Sequence, residues 1–205
     1  MSPSRCPAVR IRQEVPAMTD ADRLPDAMHV VIQEAQDHGL DLGAVKLCKI
    51  MVFADAMALY NLLPPVTGRP IIKAQFGPVP KGYREVWRWL EEQGRVRVSP
   101  QKARFEYTRF VSMGKPDLSV FSPVELKILK TLTHEFCNNF SAIQLSDLTH
   151  NRIYDLVEMD EEIPVTAYLP HFSIPKSPEE LREHVDGLVS QGYSLDGDLT
   201  HDHDS

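Results

Sequence analysis

The amino-acid sequence predicts an α+β fold: a mainly helical single domain with a small antiparallel hairpin, winged-helix-like in outline. Three observations predict it. Apolar residues recur with the i, i+3, i+4 spacing of amphipathic helices in several segments. Ser-x-x-Glu/Gln capping boxes, which mark helix starts, begin at Ser122, Ser141 and Ser177. Residues 95–111 instead begin with apolar–polar alternation and are rich in strand formers, which predicts a hairpin.

The composition excludes several classes of protein. The chain has 205 residues, enough for one sizeable domain with tails. A net charge of −7 argues against a broadly basic nucleic-acid binder, so we expect no specific nucleic-acid partner. The three cysteines, Cys6, Cys48 and Cys137, form no C-x-x-C pair, which favours a reducing, cytoplasmic setting. Because no run of 18 apolar residues is present, we expect no membrane partner.

Four regions are predicted along the chain. They are a disordered N-terminal arm (1–19), the main domain (20–170), a C-terminal helical appendage (171–192) and a disordered acidic tail (193–205). Met18 is also a plausible start, which would make residues 1–17 an upstream extension. That alternative stays open beside a translated, unstructured arm.

The first two helices are expected over residues 25–38 and 45–62. The second is apolar almost all round, which predicts a buried central helix. The first ends at Gly39 and carries an apolar stripe of Met28, Val31, Ile32 and Ala35.

An extended segment and a rigid corner are expected next. Residues 69–76 read as a short strand or link. The corner Gly77-Pro78-Val79-Pro80 cannot be helical, because a residue that precedes proline is driven to extended geometry. Residues 81–93 predict a third helix, closed by Gly94. The hairpin that follows is expected to turn at residues 99–103.

The rest of the chain is predicted to be helical. A fourth helix starts at Ser122 and runs to about Phe136, and Asn138 and Asn139 are expected to form its left-handed exit. Further helices are expected over residues 141–148, 152–159 and 178–190.

Two histidine-containing segments are candidates for chemistry. His150 follows Thr149 at a helix end, where it could act as a general base, yet no catalytic partner can be identified. We prefer a capping or packing role, because a protonated histidine at a helix C-terminus is stabilised there and can hydrogen-bond the free carbonyl groups. The tail His201-Asp202-His203-Asp204 could ligate a metal, but ordering a tail is costly. We therefore expect no enzymatic activity, no metal and no cofactor.

Three charged residues interrupt the apolar second helix. Lys46 and Lys49 share one face, one turn apart, whereas Asp55 lies on another. They could form a solvated edge, a buried ion pair with another segment, or a partner surface. A structural role is favoured, because a buried helix needs its charges paired.

The predicted hairpin is locally basic in an acidic protein. Such an inversion suggests docking to DNA phosphates or to an acidic protein, while a solvated hairpin remains equally open. Period-two alternation places the guanidinium groups of both Arg95 and Arg97 on the solvent face. The candidate partner-binding residues are Arg95, Arg97, Lys102, Arg104 and Arg109.

Four blocks of sequence resemble the SocA-like antitoxin family, whose domain is also called Panacea. They are the helix motif Lys46–Asp55, the turn Gly68–Ile71, the corner Gly77–Pro80 and the segment Ser141–His150. The positions that carry the resemblance are Lys46, Lys49, Asp55, Gly68, Gly77, Pro78, Val79, Thr149 and His150. Two departures are that Val52 replaces a family aromatic and that Tyr154, not tryptophan, is the aromatic nearest to His150.

The resemblance implies an antitoxin-like, protein-binding module from a prokaryote or phage. Such proteins neutralise a cognate toxin by direct binding, and one kind delivers the toxin to an ATP-dependent protease. Toxin specificity would then lie in the N-terminal arm, the basic hairpin or the helix 178–190. The first rival is a winged-helix DNA-binding regulator, suggested by a helix followed by a hairpin. The second rival is an enzyme that uses His150.

Overall fold

A computed structural model describes the backbone of residues 22–102 and 106–171, and the side chains of residues 22–99 and 108–170. The chain divides into two units, Met1–Leu169 and Pro170–Ser205. The predicted N-terminal arm, the helix 178–190 and the acidic tail lie outside the described residues. The domain boundary near residue 170 stays a prediction.

The predicted fold class is confirmed: the described residues form a mainly helical α+β arrangement with small antiparallel sheets. The helices are α1 (Leu24–Asp37), α2 (Ala44–Tyr60), α3 (Tyr83–Glu92), α4 (Pro123–Asn139), α5 (Ala142–Thr149) and α6 (Arg152–Leu156), with a 3-10 helix at Val165–His171. The strands are β1 (Ile71–Ile72), β2 (Val79–Pro80), β3 (Val96–Lys102), β4 (Glu106–Ser112) and β5 (Glu162–Ile163).

Helix α2 is the centre of the core, as its all-round apolar sequence predicts. It packs against α1, α4, α5 and β2. Phe53 of α2 meets Phe136 of α4 edge to face, with ring centroids 5.1 Å apart. The predicted stripe of α1 is buried, and Met28 and Val31 are 0% exposed. Burial of a helix on all sides requires its polar side chains to find partners inside the protein.

Two antiparallel sheets frame this helical core. The first has the strand order β2-β1-β5, in which Ile71 pairs with Pro80 on one side and Ile163 on the other. The second is the hairpin β3-β4. Its predicted turn was placed too early, because β3 continues to Lys102, which pairs with Glu106. The predicted extended segment 69–76 contains only a two-residue strand, Ile71–Ile72.

Helix ends account for the other corrections. Asn138 and Asn139 do not form a left-handed exit: both belong to α4, and the next residue, Phe140, is extended with φ −131°. The chain leaves α4 directly into Ser141, whose hydroxyl caps α5. Helix α6 ends at Leu156 instead of Met159. The capping box of Ser122 with Glu125 is confirmed.

Candidate functional site

Lys49 lies near the middle of the buried helix α2. Its side chain is almost fully enclosed, with 1% of the residue exposed, and its ammonium donates to the carbonyl oxygen of Pro78 at 2.9 Å. Within the described part of the chain, no hydrogen bond or ion pair joins Lys49 to a carboxylate. Burial therefore lowers the pKa of Lys49 to about 7, because the charged form loses its hydration without gaining a counter-charge.

Gly77 forms the floor of the space beside the Lys49 ammonium. Its φ is +93°, a conformation that favours glycine, and its N–H donates to Ala74 at 3.0 Å. A Cβ atom at this position would come within 2.8 Å of Thr149 Oγ1 and 3.2 Å of His150 Nε2, and closer still to Lys49 Nζ. The corner thus requires glycine for two reasons, its backbone angle and the crowding around it.

The predicted residues Thr149 and His150 reach the same place from α5. Thr149 is 0% exposed, and its hydroxyl donates back to Ser146 at 2.8 Å. His150 is exposed, and its ring stacks on Tyr154 with centroids 4.4 Å apart and an interplanar angle of 10°. His150 is the C-cap residue of α5, and its backbone N–H donates to the Asp147 carbonyl oxygen at 3.2 Å. Partial burial and the nearby Lys49 ammonium lower the pKa of His150. A hydrogen bond from a protonated ring to the free carbonyls of the helix stays a prediction.

Tyr154 completes this signature cluster, which we define as Lys49, Gly77, Pro78, Thr149, His150 and Tyr154. The Tyr154 hydroxyl donates to Ala74 O at 2.8 Å, and the Lys73 ammonium lies 4.5 Å from the ring centroid. Tyr154 is therefore the aromatic residue that packs against His150 in this cluster. Three segments that are distant in sequence meet in the cluster.

Asp55 and Gly68 belong to a second group of residues, which stabilises the turn before β1. The Asp55 carboxylate accepts from Thr67 N at 2.7 Å and from Thr67 Oγ1 at 2.6 Å. Burial raises the pKa of Asp55 to about 6, although both Thr67 bonds oppose the rise. Gly68 follows with φ +66°, and Arg69 pairs with Asp22 at the start of the described chain. Asp55 is thus a structural residue that fixes a turn.

The remaining positions on α2 and β2 are also structural. The Lys46 ammonium donates to Asp41 O at 3.1 Å and Cys137 O at 3.3 Å, which ties α2 to the end of α4. Val79 is 6% exposed and lies in β2, paired with Ile72. Lys46 and Lys49, although one turn apart, therefore serve different parts of the domain.

The basic hairpin does not present all its predicted cations to solvent. Arg95 is half-buried and pairs with Asp26 of α1 at 2.5 Å, so its predicted place on the solvent face is wrong. Arg97 and Arg109 are exposed. Because Arg97 pairs with Val111, and Ser99 with Arg109, both arginines lie on one face of the hairpin. The side chain of Lys102 and all of Arg104 lie outside the described residues.

Exposed apolar residues near the cluster are a feature that the sequence reasoning missed. Phe76, directly before Gly77, is 62% exposed, and its carbonyl accepts from the Ser146 hydroxyl at 3.0 Å. Ile143, one turn before Ser146 on α5, is 74% exposed, and Leu156 on α6 is 77% exposed. We call Phe76, Ile143 and Leu156 the apolar rim. Two features of the sequence could have identified this surface: a phenylalanine in a turn and an isoleucine at a helix start, each at a position that faces solvent.

The chemistry open to the signature cluster is limited by access. A lysine with a pKa of about 7 and a histidine imidazole are groups that acid–base catalysis uses. However, Lys49 is enclosed and held by a backbone carbonyl, so a substrate cannot reach it without displacing the Gly77 corner. The accessible members of this region are His150 and the apolar rim, which suit contact with a macromolecule. Three potential metal ligands, Glu34, His38 and His134, lie instead at α1 and α4.

Comparison with known protein families identifies the domain. The family model described as antitoxin SocA-like, Panacea domain, matches residues 47–153, just over half of the chain. The matched range contains Lys49, Asp55, Gly68, Gly77 and His150, and it ends immediately before Tyr154. No curated protein and no solved structure matches the chain significantly. No helix among the described residues is long and apolar enough to cross a membrane.

Proposed function

The chain belongs to the antitoxin SocA-like family through its Panacea domain, and we propose on this basis that it neutralises a cognate toxin protein by direct binding, without catalysis. The proposed setting is the cytoplasm of a prokaryote, with the domain encoded by the host or by a phage. The structural observation that supports the proposal is the position of the apolar rim, on segments that the signature cluster joins.

The apolar rim has the properties of a partner surface. Phe76, Ile143 and Leu156 are each more than 60% exposed, although large apolar side chains normally seek burial. The backbone beneath them is fixed, because Lys49 holds Pro78, Ser146 holds Phe76, and Tyr154 holds Ala74. Prearranged anchors lose little entropy on binding, which favours affinity. In this proposal the cluster positions the rim, and the rim contacts the toxin.

Co-expression with the product of the adjacent reading frame tests the proposal. The neighbour alone should arrest growth, and the present chain should restore growth and co-purify with it. Phe76→Glu and Ile143→Glu should each weaken the complex, since a buried charge at an anchor is costly. Leu62→Glu is the matched control, because Leu62 is 93% exposed at the end of α2 and outside the rim. A harmless neighbour, or rim variants that bind as well as the control, would contradict the proposal.

Neutralisation by proteolytic delivery is a finer form of the same proposal. An adaptor that brings the toxin to an ATP-dependent protease shortens the toxin's lifetime, whereas a stoichiometric inhibitor lengthens or preserves it. Pulse-chase measurement of the toxin, with and without this chain and in protease-deficient cells, separates the two mechanisms.

The basic hairpin is proposed as a second, electrostatic part of the partner surface. Arg97 and Arg109 supply two exposed cations on one face of the hairpin. The sequence of the hairpin contains two further basic residues, Lys102 and Arg104. Arg95 is assigned to the fold, since it pairs with Asp26. Exposed cations of this kind steer association with an acidic partner.

A DNA-binding function is the second candidate, and one observation favours it. Arg84 and Arg88 are exposed one turn apart on α3, the helix that precedes the hairpin with Arg97 and Arg109. We expect weak, sequence-independent binding that falls steeply with salt, because few phosphates are neutralised. A footprint on a defined operator at physiological salt would move the function to transcriptional regulation. Hydrolytic or transferase activity lost in a folded His150→Ala variant would instead indicate an enzyme.

A further inference from the structure

A cluster of two histidines and a glutamate joins the end of α1 to α4. Glu34 and His38 lie one helical turn apart, and His134 comes from α4. Glu34 Oε1 lies 3.0 Å from His134 Nε2 and 3.3 Å from His38 Nε2. The three potential ligand atoms all lie within 4.8 Å of one another.

The two distances from Glu34 Oε1 fit a shared cation. Imidazole nitrogens and carboxylate oxygens bind Zn²⁺ at about 2.0–2.1 Å, so two ligands at a tetrahedral angle are roughly 3.3 Å apart. The two separations from Glu34 Oε1, 3.0 and 3.3 Å, are close to that value. Both imidazoles direct the same atom, Nε2, toward the same carboxylate oxygen. A three-ligand His₂Glu set leaves a fourth position for water.

Access to the cluster from solvent is also favourable. The His38 side chain is 53% exposed and that of His134 is 39% exposed, whereas Glu34 is 11% exposed, so an ion can enter from solvent onto a fixed carboxylate. The Lys130 ammonium binds the other oxygen, Oε2, at 3.1 Å. It therefore orients the carboxylate without occupying the oxygen that faces the two histidines.

We propose that Glu34, His38 and His134 form a binding site for a borderline divalent cation of the Zn²⁺ class. Two imidazoles and one carboxylate suit Zn²⁺, Co²⁺ or Ni²⁺ and are poorly suited to Mg²⁺ or Ca²⁺, which prefer oxygen ligands. A bound ion would link α1 to α4, two of the helices that pack against the central helix α2, and would stabilise the folded domain through binding. The proposal is independent of the toxin-binding surface.

The test must separate this site from the C-terminal tail, which also contains histidines and aspartates. The full chain carrying His201→Asn and His203→Asn is titrated with ZnCl₂ calorimetrically, and with CoCl₂ by absorption spectroscopy. We expect one ion per chain, a tetrahedral Co²⁺ spectrum and a higher melting temperature with Zn²⁺. Absence of binding in this background would overturn the proposal.

Ligand variants in the same background assign the site. His38→Asn and Glu34→Gln should each weaken Zn²⁺ binding at least tenfold, and His38→Asn combined with His134→Asn should abolish it. Lys130→Gln is the matched control, because it removes a partner of Glu34 but no ligand, and it should still bind one ion. Circular dichroism verifies that each variant is folded, and the single His38→Asn change is at an exposed side chain. Unchanged Zn²⁺ affinity in His38→Asn and in the double variant would show that the cluster is only a hydrogen-bonded group.

Discussion

The Lys49 ammonium lies 2.9 Å from the Pro78 carbonyl oxygen, so a cation buried in α2 holds the backbone of β2. The energetic cost of burying this cation depends on pH. Its pKa falls from 10.5 to about 7 on folding, so between these values the unfolded chain binds a proton that the folded chain does not. By linkage, wild-type stability should rise with pH across that window.

A Lys49→Met variant isolates this effect. The free energy of unfolding of the wild type minus that of Lys49→Met should increase between pH 7 and pH 10, by at most about 1.4 kcal/mol per pH unit. Titrating groups that do not interact with Lys49 cancel in the difference. Urea unfolding at pH 7.5, 8.5 and 9.5 measures it, and a difference that does not change with pH would show that Lys49 keeps its proton when buried.

Alanine substitution of two signature glycines separates backbone strain from crowding. Gly77 and Gly68 both have positive φ, and an alanine costs about 1–2 kcal/mol at either position for that reason. Gly77→Ala should cost about 1–3 kcal/mol more, because its Cβ would collide with Lys49 and Thr149, whereas nothing lies within 4 Å of a Cβ at Gly68. Thermal unfolding of the two variants provides the comparison. Equal losses would mean that the Lys49 side chain moves aside freely.

Charge reversal at Arg95 and Arg97 should have different consequences. Arg95→Glu removes the pair with Asp26 and places two carboxylates together, so we expect a clear fall in melting temperature. Arg97→Glu should change stability by no more than about 0.5 kcal/mol, because its side chain is exposed. If the hairpin docks an acidic partner, Arg97→Glu combined with Arg109→Glu should slow association and reduce its salt dependence. An unchanged association rate in the folded double variant would exclude that docking role.

Thr67→Val tests the turn held by Asp55. The substitution removes a hydroxyl that donates to the buried carboxylate at 2.6 Å, and we expect a loss of about 1–3 kcal/mol. Thr131→Val on the exposed face of α4 is the matched control and should be nearly neutral. Chemical unfolding of both variants at pH 7 measures the difference. A Thr67→Val variant as stable as the control would remove the structural role assigned to Asp55.

Among the described residues the sequence predicted the helices and the hairpin well, because periodicity and capping boxes are local. Ser122 with Glu125, for example, marks the start of α4 without knowledge of the rest of the fold. The prediction of a left-handed exit at Asn138 was wrong, because α4 continues until just before the residue that caps the next helix. No residue in the left-handed conformation is needed there. Local propensity does not reveal such competition between neighbouring elements.

The sequence predicted which residues belong to the candidate site but did not predict how these residues are arranged in space. Lys49, Gly77 and His150 come from segments far apart in sequence, and their meeting depends on packing. Arg95 shows the same limit, because strand alternation alone cannot anticipate Asp26 on α1. The partner of Glu34 and His38 is His134, which no local spacing identifies.

The central position of α2 has a consequence for synthesis on the ribosome. This helix emerges early, yet α4 and α5, which cover it, are translated more than sixty residues later. Until then an apolar helix without a solvent-facing side is uncovered, and such exposed surface promotes aggregation and proteolysis of nascent chains. The Lys49 contact to Pro78 can form earlier, but His150 and Tyr154 close the site only when nearly the whole domain has been made. Truncated products of this chain should therefore lack a functional surface and be short-lived.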